Sequence, residues 1–237
     1  MCTVIVRVPD DDAEPIRLLA IRDEDPARPW DPLGAWWPQE RPGVVGVRDA
    51  RAGGAWLAAD PETSRVAVVL NRADRAGLPE TDVETRGLLA LESVAGRSPE
   101  APRMHGFNLV EVSAAAARVL AWDGVAMVET VLSPGTHMVA HHDVDDPRSI
   151  RIARWLGEFR DAGAGEPDDP WGPWLEVIDR SAALDPTDDR ALIRDHTHVG
   201  IPSLSLLVCA ATVGADGVDV RFAALPAPGT WAPLALR

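Results

Sequence analysis

Lysine and tyrosine are absent from the chain; all 23 basic residues are arginine, and the formal net charge is −14. That charge excludes the basic footprint of a nucleic-acid binder. Cysteine is nearly absent too. Cys2 and Cys209 are too few and too far apart for a disulfide framework, so a reducing, cytoplasmic setting is expected. No apolar run is long enough for a membrane span. The start, MCTVIVRVPDDD, lacks the basic segment and long apolar stretch of a signal peptide. No repeat or clear linker divides the 237 residues, so a single domain over residues 1–237 with a sizeable core is expected.

What is present begins at Cys2. Removal of Met1 would leave a thiol and a free α-amine on one residue, the pairing used by N-terminal nucleophiles. The amine titrates at roughly 7.7–8 and the thiol at about 8.5, so one can take the other's proton near neutral pH. Position alone is also met by a small hydrophobe at the start of a strand; the neighbours favour the nucleophile. Residues 2–8 (CTVIVRV) and 16–22 (IRLLAIR) alternate as strands around an acidic turn over 9–15. Pairing about a centre near residue 12 sets Cys2 opposite Arg22, with Asp23 and Glu24 just beyond.

Further strands are predicted at 44–48, 55–59, 65–71, 106–112, 116–122, 125–131, 203–212 and 217–224. Thr81-Asp82-Val83-Glu84 fits a capping box opening a helix to about residue 95. Residues 147–162 carry Ile150, Ala153, Leu156 and Phe159 at helical spacing, and further helices are predicted at 171–183 and 187–194. The stretch 26–42 reads as a Trp/Pro-rich loop, and AGAGEPDDP (162–170) as a loop between two helices of one layer. Strands, then helices, then strands imply an α+β fold of antiparallel sheets with helices outside.

These residues, with others in order along the chain, resemble the NRDE family, the transport and Golgi organisation 2 protein family, named for an Asn-Arg-Asp-Glu signature. The matching pieces are the Met-Cys start, LLAIRDED with PARP, GGAWLA, VAVVLNR, RGLL (86–89), HGFNLVEV (105–112) and LSPGTHMV (132–139). The signature Asn is Ile21 here, the Leu-Ser segment lacks its Asn, and Val199–Ser203 matches poorly. The resemblance implies a four-layer αββα sandwich like that of N-terminal nucleophile hydrolases. It also implies Cys2 as nucleophile acting on an amide or thioester, Arg22 lowering its pKa, Asp23 orienting its amine and Glu24 completing the signature.

Other candidates follow from residue type. Asn71, a polar residue at a strand end, is the candidate oxyanion donor, with Asn108 a second polar strand-end residue. Trp30, Trp36 and Trp37 are placed beside Cys2 as walls for a small hydrophobic or acyl ligand, or a planar ring. His137 and His141 have a spacing found in zinc sites, but Pro134 and Gly135 make the segment a loop and no accompanying motif supports a metal. The family's link to haem trafficking makes a haem or lipid carrier the alternative function. No CxxCH motif occurs, so haem would be a transient ligand and no cofactor is required.

Overall fold

The structure, a computed structural model, describes residues 2–11, 13–75, 79–100, 102–163, 165–166 and 169–237. Met1, whose removal the nucleophile reading requires, lies outside the described residues, as do Ala164, Pro167 and Asp168 of the 162–170 loop. The chain builds two antiparallel sheets. The first, of five strands, runs in the order β10 (Gly135–Val139), β1 (Thr3–Val8), β2 (Ile16–Glu24), β11 (Leu204–Gly214), β12 (Gly217–Ala224). The second, of seven, is an unbroken meander of β3 (Trp30–Gly34), β4 (Val45–Asp49), β5 (Ala55–Asp60), β6 (Arg65–Asn71), β7 (Phe107–Ser113), β8 (Ala117–Trp122) and β9 (Met127–Val131).

The strands at the centre are apolar on both faces because both faces are covered. In β1, Val4 and Val6 face the second sheet, where they meet Leu57, Val68 and Val110, while Ile5 faces the helices. The outer face of the first sheet carries α2 (Ile150–Ala162) and α3 (Gly172–Ser181), packed through Trp155, Phe159, Trp174 and Ile178. The outer face of the second carries the short α1 (Leu89–Val94). Helix, sheet, sheet, helix is the resulting α+β sandwich. Among the described residues no helix is long and apolar enough to cross a membrane.

The β1–β2 hairpin has the expected register: Thr3 pairs with Ile21, which puts Cys2 level with Arg22. Five expectations are corrected. The helix predicted from Thr81 to about 95 starts only at Leu89. Val83 and Thr85 are extended, and Glu84 N–H bonds Arg103 O at 2.7 Å in place of a helical partner. Residues 187–194 form turns, because Asp185 and Asp188 carboxylates accept the backbone N–H groups of Thr187 and Arg190 at 2.9 and 2.8 Å and divert the chain from a helix. The Trp/Pro-rich loop contains edge strand β3, and the presumed loop around His137 is edge strand β10. Helix α2 buries Leu156 and Phe159 of the expected face together with Arg151, Ile152 and Trp155, and leaves Ile150 and Ala153 exposed, so its inner face is rotated part-way from the one the apolar spacing marked.

Candidate functional site

Cys2 lies at the edge of the inter-sheet core, 8 % exposed, and opens on a cavity of about 340 Å³. Its Sγ accepts the Asp23 N–H at 3.4 Å and donates to Asp23 O at 3.6 Å, so the partner strand fixes the thiol through its backbone. Burial pushes the thiol pKa up, and the Asp23 charge adds to that. Arg22 pulls the thiol pKa down, as expected, but the burial effect is larger. The resting thiol is therefore protonated and needs a base.

Alternation along β2 sends Arg22 and Asp23 to opposite faces of the sheet. Arg22, 2 % exposed, lines the cavity, with its guanidinium carbon 5.7 Å from the Trp56 ring centroid and an ion pair to Glu24 at 3.6 Å. Asp23 faces the helices. Its Oδ1 accepts Ser205 Oγ at 2.6 Å, and its Oδ2 stands 3.8 Å from Arg151 and 3.9 Å from His196. Arg151 also donates to Thr3 Oγ1 at 2.9 Å, tying α2 to the strand that begins at the nucleophile candidate. A β-bulge in β11 makes this possible: the register against β2 shifts between Ser205 and Leu207, directly opposite Asp23 and Arg22. Burial lowers the His196 pKa to about 4, leaving the imidazole neutral at pH 7.

The opposite wall is assembled from three of the dispersed motif pieces. In GGAWLA, a Cβ on Gly54 would lie 1.9 Å from Gly87 O, so only glycine lets the 83–88 segment cross the start of β5. In RGLL, Arg86 donates to Gly106 O at 2.7 Å, while in HGFN a Cβ on Gly106 would meet Ala73 O at 2.6 Å. This packing brings Arg86, Thr85, Trp56 and His105 into the cavity wall. Arg28 and Asp49 close another side, joined by hydrogen bonds of 2.9 and 2.6 Å. Burial alone would raise the Asp49 carboxyl, but Arg28 and the Ala52 N–H hold it below its ordinary range.

The cavity gathers Cys2, Arg22, Glu24 and Asn71 among the residues named from sequence, and Asp23 borders it while turning its carboxylate to the helices. It does not gather the rest. Asn108 is buried, donating to Ala140 O and His142 O at 2.8 Å each, and braces β7 to the chain after β10. Trp30 packs on Phe222 at 6.0 Å, Trp36 donates to Pro32 O at 2.7 Å, and Trp37 donates to Gly53 O at 2.9 Å. The indole in the wall is Trp56 instead. His137 uses both ring nitrogens, toward Asp145 at 2.8 Å and Ser133 O at 2.9 Å. Among the described residues no cluster of three or more metal-ligating side chains occurs.

A family model, Transport and Golgi organisation 2, matches residues 1–169. The chain belongs to that family. No curated protein matches it. The family's matched segment contains the whole cavity wall, whereas Ser205 and His196, which face Asp23 from behind, lie beyond it.

Proposed function

We propose that this family member is a cysteine hydrolase of the N-terminal nucleophile type, acting on an amide or thioester after loss of Met1. The observation that carries the reading is the Cys2 thiol opening on a cleft furnished with hydrogen-bond donors. The freed α-amine takes the thiol proton as Sγ attacks the substrate carbonyl, and the raised thiol pKa makes that transfer necessary. The carbonyl oxygen becomes an oxyanion beside Asn71 or a backbone N–H. Collapse breaks the C–N or C–S bond, the leaving group takes the proton, and water then cleaves the thioester on Cys2 to regenerate the thiol. Asp23, held by Ser205, is the group suited to orient the amine.

The alternative, a haem or lipid carrier, would call on His137 and the loop indoles. Those residues do not line the Cys2 cavity, and both ring nitrogens of His137 are engaged by Asp145 and Ser133 O.

Intact-mass analysis of the purified protein, before and after exposure to a 4-nitrophenyl thioester or anilide, tests the proposal. Loss of Met1 and an acyl adduct on Cys2 are expected. Cys2→Ala should abolish the adduct and lower turnover by about a thousandfold or more. A retained Met1 or a blocked α-amine would sink the mechanism.

A further inference from the structure

The cavity wall holds buried donors that no neighbour matches among the described residues. Arg22 Nε, Arg22 Nη1 and Trp56 Nε1 are buried without hydrogen-bond partners among the described residues, and both side chains line the cavity. Buried donors are ordinarily matched, so three unmatched ones around one space point to an acceptor that arrives with a ligand. The wall's inner carboxylates are already committed. Asp49 receives Arg28 and the N–H groups of Arg51 and Ala52; Glu24 pairs with Arg22 at 3.6 Å and Arg28 at 3.8 Å. Glu84 is the outlying, exposed one.

Arg86 is the uncommitted cation. It donates through Nη1 to Gly106 O and makes no carboxylate ion pair among the described residues. One edge of its guanidinium is thus anchored and the backbone beneath it is fixed by the Gly54–Gly87 approach and by Thr85, whose hydroxyl accepts the Gly87 N–H at 3.1 Å. A planar, fixed fork suits a planar carboxylate bound through two hydrogen bonds. Three carboxylates in the same wall make a dianion such as phosphate a poorer fit.

Resting on the hydrolase reading, we propose that the cavity selects small amides or thioesters bearing a carboxylate, and that Arg86 is the residue that recognises it. The carboxylate stays unreacted; the bond made and broken is the one at Cys2 described above.

The test compares N-succinyl-4-nitroanilide with its neutral N-butyryl counterpart, and adds N-butyrylglycine to place the carboxylate on the amine side. A preference in kcat/KM of about 10- to 100-fold for a carboxylate-bearing substrate is expected, set by one charged hydrogen-bonding pair. That ratio should fall towards one in Arg86→Met and be partly kept in Arg86→Lys. Each ratio is taken within one variant, so a reduced folded fraction cancels. Calorimetry of succinate and butyrate on Cys2→Ala supplies a second readout without turnover. Equal turnover of both anilides, or a ratio unchanged in Arg86→Met, would overturn the carboxylate assignment and leave the hydrolase standing. Arg86-dependent succinate binding with no turnover of any substrate would do the reverse. Neither binding nor turnover would remove both.

Discussion

Neighbouring residues of β2 face two different interiors. Arg22 enters the inter-sheet cavity, where its Nε and Nη1 and the Trp56 indole N–H lack acceptors among the described residues. Asp23 enters the helix side, where Ser205, Arg151 and His196 surround its carboxylate. Both regions bury charge beside the same cysteine, yet one is left incomplete and the other is filled from three elements. A filled buried network holds geometry; an unfilled one binds. The difference assigns positioning to the helix side and recognition to the cavity side.

The largest expected effect breaks the filled side. Asp23→Ala leaves Arg151 buried without its counter-charge and should cost about 3–5 kcal/mol of unfolding free energy. Adding Arg151→Met to Asp23→Ala should recover much of that loss in urea unfolding, since an apolar pair replaces a broken ionic one. No recovery would mean that Arg151 is held by Thr3 more than by Asp23.

Acid should weaken the same side. His196 is 3 % exposed, and its pKa in the fold is about 4 against 6.5 ordinarily. The unfolded chain therefore binds the proton first as pH falls. Its contribution to stability is present above pH 6.5, shrinks between 6.5 and about 4, and amounts to about 3 kcal/mol at most. Unfolding free energy measured across that window should slope less steeply in His196→Gln. An equal slope would place the acid sensitivity elsewhere.

How far the sequence reaches follows the same division. The acidic turn over 9–15 centred the hairpin arithmetic, and Thr3 opposite Ile21 follows from it. The partners of Asp23 were beyond such arithmetic. Ser205 meets it through a bulge in a strand 182 residues away, and Arg151 is a buried charge that apolar spacing does not mark. The indoles of the 26–42 loop misled for a local reason: nearness in sequence to Cys2 suggested a wall, but Trp36 and Trp37 are satisfied by carbonyls of Pro32 and Gly53. Trp56, Arg86 and His105 were visible as motif members without roles. Their roles depend on residues 83–85 staying extended before the 3-10 turn Arg86–Leu88 and α1, which the capping-box pattern at Thr81 concealed.

The smallest effect sharpens the comparison most. Trp37 and Trp56 are 7 % and 6 % exposed, so Phe at either site loses a similar apolar contact and leaves a similar gap. They differ in the N–H. In Trp37→Phe the Gly53 carbonyl loses its donor, whereas Trp56→Phe removes a buried donor that had no partner among the described residues. Losing an unmatched donor returns part of its desolvation cost, so Trp56→Phe should be the milder change by about 1–2 kcal/mol in urea unfolding. It should also weaken succinate binding to the Cys2→Ala protein, a stability gain set against a binding loss. If both variants lose equal stability, the Trp56 N–H is already satisfied in the free protein and the cavity is less hungry for an acceptor than its wall implies.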